Sequence, residues 1–270
     1  MSLASAVQYG KSAFCCWASD ITHGWNLFLV LESWHTMQPF TVFLPVYNEE
    51  DILVANTEKL LHYLDSLKTP YEVVIGSNGS VDSTPRLGQT LKGKYPQLRF
   101  FHIPEKGPGA ALREAINRVS HDCLITLDMD LPVPLDFIPR AVELLSDHDI
   151  VVGSKKLGVE RRSPYRRVGS SLFIFCSKTL LGLPFDDYSL GAKAYRKSVL
   201  KRYEGLIDRW TSYTERIICS AFHDGLPIIQ IPVECRDDRK SRFNLFHEAF
   251  YRFGCLFRLW IFNGMGKRGK

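Results

Sequence analysis

Short apolar runs alternate with helix-length segments over residues 40–153 of this 270-residue chain. Five runs rich in β-branched and aromatic residues are typical of strands buried on both faces. These runs are residues 40–46, 72–76, 98–103, 123–127 and 149–153. Helical spacing of apolar residues lies between them, at residues 49–67, 82–94, 108–119 and 134–147. This alternation predicts an α/β fold, a mainly parallel sheet with helices on both faces.

Four of the predicted strands end in polar sequences. PVYNEE (45–50) follows the first, SNGSVDST (77–84) the second, EKGPGAA (105–111) the third and DMDLPVP (128–134) the fourth. In such sheets, ligands bind beyond the carboxyl ends of the parallel strands. Four polar exits on one edge therefore predict a ligand site at that edge.

Asp128 and Asp130 directly follow a buried strand, where a carboxylate costs free energy unless something pairs with it. Two carboxylates one residue apart can both reach a hard divalent cation, which prefers oxygen ligands and shares them with substrate phosphates. A turn in which both aspartates cap the next helix is the alternative. Gly107 and Gly109 would let backbone N–H groups approach a phosphate at the start of a helix.

Beyond residue 153 the pattern loosens. Helices are predicted at residues 166–181 and around 211–223. The two prolines within residues 227–235 favour a strand that is antiparallel or at the sheet edge. A final helix over 243–262 would carry a basic and aromatic surface, with Phe246, Phe250, Phe253, Phe257, Trp260 and Ile261 on one face. Such a helix can lie in a membrane interface; packing on its own domain or on a partner is the alternative.

The net charge of +5 is concentrated in two places. Residues 236–270 hold nine Lys and Arg against three Asp and Glu, and residues 155–167 form a second basic block. These blocks suit a phosphate-bearing ligand or an anionic surface, and a solvated face is the alternative. Because no nucleic-acid motif accompanies the charge, we expect no nucleic-acid partner.

Cysteine usage and hydropathy bear on location. The seven cysteines include no CxxC pair, which argues against a disulfide framework or zinc site and for a reducing, cytosolic environment. No uncharged stretch reaches the ~18–20 residues of a spanning helix. Residues 1–36 lack the features of a secretory signal and are interpreted as an extension of unknown role.

Ordered motifs carry a resemblance to a known family. TVFLPVYNEE, EVVIGSNGSVDST, GPGAALREAI, LITLDMDLPVP, DIVVGSK and LGAKAYRKSVL resemble, in this order, the family 2 glycosyltransferases of the GT-A fold. The layout is most similar to the polyprenyl-phosphate (dolichyl-phosphate) sugar synthases. The resemblance covers roughly 40–240, so the predicted domains are an extension (1–36), a GT-A domain (37–240) and a basic amphipathic helix and tail (241–270).

The resemblance implies an enzyme with a nucleotide-sugar donor, a GDP- or UDP-hexose, and a divalent metal, Mg²⁺ or Mn²⁺, on Asp128 and Asp130. The implied donor-binding residues are Pro45, Tyr47, Glu49, Asn78, Lys106 and Asp128. The implied ligands of the acceptor phosphate are Lys155, Arg166, Arg167, Lys193, Arg239 and Arg242. Glu215 matches an acidic position of the family and is the candidate base if the acceptor is a hydroxyl.

This chain departs from the family at three places. The family usually has Asp-Asp-Gly-Ser after its second strand, where this chain has Ser77-Asn78-Gly79-Ser80. Pro132 occupies a slot in which related enzymes have a metal-assisting glutamine. Lysines at 155 and 193 replace arginines, and an ammonium is a point charge rather than a planar fork. The choice between UDP and GDP therefore stays open.

The leading hypothesis is a metal-dependent, inverting glycosyltransferase that moves a hexose to a polyprenyl phosphate. A lipid phosphate is already anionic at neutral pH, since its second pKa is ~6, so it needs cationic positioning rather than a base. The enzyme would be peripheral, on the cytoplasmic side of a membrane, with the membrane surface or a membrane protein as partner. The alternatives are transfer to a sugar or protein hydroxyl and a non-catalytic nucleotide-binding module.

Overall fold

The computed structural model describes residues 37–158, 160–161, 164–236 and 245–266. In chain order, the strands of this part are β1 Phe40–Val46, β2 Tyr71–Asn78, β3 Leu98–Ile103, β4 Cys123–Thr126, β5 Ile150–Ser154, β6 Glu160–Arg161, β7 Lys193–Arg196, β8 Ile228–Pro232 and β9 Cys235–Arg236. Its α-helices are α1 Leu53–Ser66, α2 Thr84–Lys94, α3 Pro108–Ile116, α4 Phe137–Leu144, α5 Pro164–Leu181, α6 Lys197–Arg202, α7 Tyr213–His223 and α8 Leu245–Gly266.

One sheet organises the molecule, with the strand order β3-β2-β1-β4-β7-β5-β8. The strands β3, β2, β1 and β4 run parallel, so the four polar exits lie at one edge as predicted. Strand β7 is antiparallel to both of its neighbours, β4 and β5. The predicted α/β fold with a mainly parallel sheet is confirmed. Strand β7 was not predicted, because its sequence, KAYR, is too short to show a strand pattern.

Both faces of the sheet are covered by helices. Along β1, Val42 and Leu44 belong to one buried cluster and Phe43 to the other, as the alternation of side chains across a strand requires. The first cluster includes apolar residues of α1, α2 and α4, and the second includes those of α3, α5 and α7. Helices on the two faces explain why the strands were apolar throughout rather than alternating.

Strand β8 lies at the edge of the sheet, which is one of the two positions that its prolines predicted. It pairs with β5 in parallel register, so the antiparallel alternative does not apply. Pro232 has no N–H to donate. It is tolerated because an edge strand has no neighbouring strand on one side to accept such a bond. The small pairing of β6 with β9 is also parallel.

Helix α8 exists, but its apolar residues are divided between two environments. Leu256 is buried, and Phe253 packs edge-to-face on Phe173 of α5 with ring centroids 5.4 Å apart. Phe250 and Phe257 remain exposed. One side of the helix therefore packs on its own domain, which is one of the alternatives left open by the sequence, while Phe250 and Phe257 of the predicted aromatic face stay exposed. The extension at 1–36 lies outside the described residues.

Candidate active site

The DMDL segment forms a turn directly after β4. The N–H of Leu131 donates to the carbonyl of Asp128 at 3.0 Å, and the carbonyl of Met129 accepts from the Asn56 side chain of α1 at 2.9 Å. Met129 is buried, whereas Asp130 is exposed. Leu131 has φ +47°, an uncommon conformation for a residue with a side chain, and such strain clusters at functional sites. The turn thus holds two carboxylates at the ligand edge of the sheet.

Asp128 is oriented by a neighbouring loop. Its Oδ2 accepts from the N–H of Gly191 at 3.2 Å. Burial raises the pKa of Asp128 to about 6, and the charge of Asp130 adds to this rise, while Lys193 and the Gly191 N–H oppose it. A bound cation would favour the ionised form in the same way.

The donor set at this turn fits a hard divalent ion in its chemistry, since both groups are carboxylates. Within the described part of the chain, no group of three or more His, Cys, Asp or Glu side chains could enclose a metal by itself. Asp128 and Asp130 would hold an ion only together with oxygens of a bound substrate or water. That arrangement is the usual one for Mg²⁺ at phosphate-transfer and diphosphate sites.

Two lysines of the predicted acceptor site are buried. The Nζ of Lys155 contacts Asp187 Oδ2 at 2.7 Å and Ser189 Oγ at 2.9 Å. The Nζ of Lys193 donates to the carbonyl of Leu190. Burial lowers the pKa of Lys193 to about 8, and Asp187 opposes this effect. Both ammonium groups are thus bonded within the chain, so we do not retain them as direct phosphate ligands.

The first two polar exits are tied to each other. The N–H of Asn48 donates to Ser80 Oγ at 3.1 Å, and the N–H of Val81 donates to Asn48 Oδ1 at 2.9 Å. The N–H of Glu49 donates to Thr84 Oγ1 at 2.8 Å. These reciprocal bonds make the loops after β1 and β2 one unit, which brings the predicted residue Glu49 to the start of α2.

Tyr47 and Lys106 also meet. The Lys106 ammonium lies 3.8 Å from the centroid of the Tyr47 ring, which is cation–π distance. Gly79, with φ +68°, permits this approach, because a Cβ there would lie 2.9 Å from Lys106 Cβ. The two residues come from the loops after β1 and β3. The structure therefore brings these two predicted donor-binding residues together, and half-buried Pro45 lies at the end of β1 beside them in sequence.

Asn78 serves the framework. Its Nδ2 donates to the carbonyl of Val46 at 2.8 Å and to that of Gly76 at 3.4 Å, and its Oδ1 accepts from the N–H of Gly107 at 3.0 Å. The side chain is buried. These bonds join the ends of β1 and β2 to the start of α3, so the amide holds loops together and is not assigned to a nucleobase.

The start of α3 is closed by the chain itself. The N–H of Gly109 donates to the carbonyls of Arg209 and Trp210 at 3.0 Å, and the N–H of Ala110 donates to the carbonyl of Arg209 at 3.2 Å. A Cβ on Gly109 would lie 2.0 Å from the carbonyl oxygen of Asp208. The expectation that these glycines admit a phosphate is wrong in this structure: they admit the backbone of residues 208–210.

Glu215 lies in α7 and is buried against α5. Its Oε1 accepts from Ser177 Oγ at 2.7 Å, and its residue exposure is 2%. Burial raises the pKa of Glu215 to about 7, and the bond from Ser177 and the charge of Arg252 oppose the rise. A carboxyl group enclosed in this way has no surface on which to receive a proton from a substrate hydroxyl.

The arginines predicted for the acceptor fall at the limits of the described chain. Arg166 and Arg167 lie in the first turn of α5. Arg239 and Arg242 lie outside the described residues. Their predicted contact with the acceptor phosphate stays a prediction.

Sequence reasoning missed Gly191 and Asp187, although both contact predicted residues. Asp187 accepts from the N–H groups of Ser189 and Leu190 at 2.9 and 3.2 Å. An aspartate followed by serine two residues later and by glycine four residues later is a turn signature that could have indicated this loop. The approach of this loop to Asp128 depends on the position of β7 beside β4, which no local sequence pattern predicts.

Solved structures share this architecture. Glucosyl-3-phosphoglycerate synthase from Mycobacterium tuberculosis, in complex with Mn²⁺ and UDP-glucose, matches with a TM-score of 0.62 at 16% identity, over 83% of this chain and 79% of that chain. A mannosyltransferase from Pyrobaculum calidifontis, in complex with GDP-Man and Mn²⁺, matches with a TM-score of 0.53 at 20% identity, over 75% and 57%. The fold is therefore that of the GT-A glycosyltransferases.

The sequence places the chain more narrowly. The model of the family described as "Glycosyl transferase family 2" matches residues 41–204, which is more than half of the chain. The chain therefore belongs to that family. Undecaprenyl-phosphate 4-deoxy-4-formamido-L-arabinose transferase of Edwardsiella ictaluri (strain 93-146) is 29% identical over 220 residues, which are 80% of this chain and 66% of that protein. The enzyme of the same name from Yersinia enterocolitica is 28% identical over 164 residues, 60% and 50%. The chain thus spans a half to two thirds of the length of these relatives.

No helix in the described ranges combines the length and the apolarity needed to cross a bilayer.

Proposed function

We propose that this protein transfers a hexose from a nucleotide sugar to a polyprenyl phosphate, with a divalent metal ion held by Asp128 and Asp130. The observation that carries the proposal is the turn after β4, where Asp128 accepts the Gly191 N–H and lies beside exposed Asp130 at the ligand edge of the sheet. The names of the similar relatives, which act on undecaprenyl phosphate, support the acceptor class.

Asp128 and Asp130 would orient the donor diphosphate through the shared ion, whose charge offsets that of the departing nucleotide. The joined loops after β1 and β2, together with the Tyr47–Lys106 pair, would bind the rest of the nucleotide. Pro45 and Glu49 lie in the same unit and complete the proposed donor site.

The buried state of Glu215 favours a phosphate acceptor over a hydroxyl. A hydroxyl acceptor needs a general base within hydrogen-bond reach. Glu215, the predicted base, is enclosed and bonded to Ser177. A lipid monophosphate with a second pKa near ~6 is already a nucleophile at neutral pH. It needs positive charge instead, which we assign to Arg166 and Arg167 of α5 and to Arg239 and Arg242.

A polyprenyl phosphate resides in a bilayer, so the protein would act at the membrane surface as a peripheral protein on its cytoplasmic side. Exposed apolar side chains on α5 and α8 support this placement. They are Val168, Leu172, Phe175, Phe250, Phe257, Trp260 and Ile261. A surface of this kind, with basic residues near it in sequence, suits an anionic lipid interface.

The proposal predicts labelled lipid as the product. Purified protein would be incubated with labelled UDP- and GDP-hexoses, Mg²⁺ or Mn²⁺, and undecaprenyl or dolichyl phosphate in detergent. Asp130→Asn should reduce transfer about 100-fold or more, because loss of outer-shell metal partners alone typically costs about 10–100-fold. Asp147→Asn, at an exposed carboxylate after α4, is the matched control and should leave transfer unchanged.

Label found only in a water-soluble product would contradict the lipid acceptor. The departures at Asn78 and Pro132 motivate the second candidate, a non-catalytic nucleotide-binding module. That alternative predicts that nucleotide sugars raise the melting temperature in a metal-dependent manner while no acceptor receives label.

A further inference from the structure

The contact between Gly191 and Asp128 is tighter than the hydrogen bond alone indicates. A Cβ built on Gly191 would lie 2.4 Å from both carboxylate oxygens of Asp128. Real Cβ contacts are not this short, so any side chain at position 191 would force the Asp128 carboxylate to move. The backbone itself does not require glycine here, since Gly191 is not among the residues with positive φ. Position 191 needs a residue without a side chain because the Asp128 carboxylate occupies the space that a Cβ would fill.

The loop that carries Gly191 is organised by a buried carboxylate. Asp187 Oδ1 accepts from the N–H groups of Ser189 and Leu190, which folds residues 187–190 into a turn. Its Oδ2 pairs with Lys155 at the end of β5, and both side chains are 1% exposed. A buried pair of this kind is held in one geometry, because separating its members would leave an uncompensated charge.

A second buried lysine closes the same loop from β7. Lys193 Nζ donates to the carbonyl of Leu190, directly before Gly191. Thr126, at the end of β4, donates through Oγ1 to the carbonyl of Gly191 at 2.6 Å. The peptide groups on both sides of Gly191 are therefore anchored, and its N–H has one direction available, toward Asp128.

We propose that Asp187, Lys155 and Lys193 are positioning residues that hold Gly191 against Asp128, and so orient that carboxylate for a divalent ion. This inference rests on the proposed function. It assigns the two buried lysines to the metal side of the site rather than to the acceptor phosphate. Lysine suits both positions, because the compact ammonium of Lys155 bonds Asp187 Oδ2 and Ser189 Oγ, and that of Lys193 bonds the carbonyl of Leu190, in buried space.

Gly191→Ala is the direct test, because the atoms that it displaces are the end of one flexible side chain. Mn²⁺ affinity would be measured by the electron paramagnetic resonance signal of free Mn²⁺, with UDP or GDP present. We expect binding about 10–100-fold weaker than in the wild type, as is typical for loss of an outer-shell partner. The melting temperature without metal should stay close to that of the wild type. Transfer by the variant should recover when the Mn²⁺ concentration is raised. The Mn²⁺ concentration needed for half-maximal activity should be higher than for the wild type, while kcat at saturating Mn²⁺ changes little.

Gly205→Ala is the matched control, since a Cβ there meets no atom within 4 Å and its Mn²⁺ affinity should be unchanged. Asp187→Asn is a second variant, which keeps an acceptor for the two N–H groups but removes the charge that faces Lys155. It should weaken Mn²⁺ binding in the same direction.

The inference is overturned if Gly191→Ala binds Mn²⁺ as the wild type does while Asp130→Asn does not bind it. That outcome leaves the proposed function intact. An unfolded Gly191→Ala protein would also overturn the inference, because the nearest atoms that the new Cβ meets are those of the Asp128 carboxylate, which can move without unfolding the chain. A wild-type protein that binds no Mn²⁺ with either nucleotide would overturn both proposals.

Discussion

The surroundings of Asn78 explain why this chain can depart from the family at that position. The resemblance places it where relatives usually have an aspartate. Its Nδ2 donates to two backbone carbonyls, of Val46 and Gly76, which an aspartate could not do. The change from acid to amide therefore suits the junction of β1, β2 and α3. No property of the SNGS sequence alone distinguishes this role from contact with a base.

Glu215 gives a pH-dependent stability that can be measured. Burial raises its pKa from 4.5 to about 7, so the folded chain binds this proton more tightly than the unfolded chain does. The stabilisation is complete below pH 4.5 and is lost as the pH rises toward 7. With about 1.4 kcal/mol for each pKa unit, the loss amounts to about 3 kcal/mol.

Glu215→Gln should remove this dependence, because the amide keeps an acceptor for Ser177 and does not ionise. The free energy of unfolding, measured in urea, should be similar for the two proteins at pH 5. At pH 8 the variant should be more stable, by up to about 3 kcal/mol. Glu143→Gln, at an exposed residue of α4, is the control. A difference that does not change with pH would contradict the assignment of the buried charge to Glu215.

At the scale of elements, the start of α3 shows the largest difference from expectation. A glycine-rich entry to a helix indicates an anion site because the first N–H groups are unsatisfied. Here the carbonyls of Arg209 and Trp210 satisfy them. Asp208, next to that segment, accepts from Tyr251 of α8 and from the N–H of Tyr213 at the start of α7. Residues 208–210 thus connect three helices, and a phosphate would have to displace them.

Gly109→Ala tests this packing. A Cβ would lie 2.0 Å from the Asp208 carbonyl oxygen, so backbone must move and the variant should lose roughly 2–4 kcal/mol of stability, as for other overpacked sites. Gly93→Ala in α2 is the control, since its Cβ would meet open space and alanine favours a helix by about 0.5–1 kcal/mol. Urea unfolding of both variants measures the difference. Equal stability of Gly109→Ala and wild type would show that residues 208–210 are not held on α3.

At the scale of the whole molecule, exposed apolar stripes lie on two helices that pack together. Val168, Leu172 and Phe175 are spaced along one side of α5, and Phe250 and Phe257 along one side of α8. Phe250 is 80% exposed and Phe175 66%. Large exposed aromatic groups on two neighbouring helices favour an interaction surface over a solvated face.

The double variant Phe250→Ser and Phe257→Ser should weaken binding to anionic phospholipid vesicles at least tenfold. Each buried phenylalanine contributes about 1.5–3 kcal/mol when it leaves water. Sedimentation with vesicles measures the bound fraction, and Val81→Ser, at an 87% exposed loop residue, is the control. Unchanged vesicle binding together with loss of a dimer in size-exclusion chromatography would instead assign α8 to a contact between two copies.

The sequence by itself determined the α/β alternation, the common edge of four polar strand ends and the family, because strand burial, helical period and ordered motifs are local properties of the chain. Tertiary structure decided which of the polar residues face that edge. Lys155, Asn78 and Glu215 carry polar or charged groups that suit a site, yet they bond to Asp187, Gly107 and Ser177, which lie 32, 29 and 38 residues away in the chain. Burial and pairing depend on those distant segments, whereas Asp128 and Asp130 owe their place to the strand that they follow.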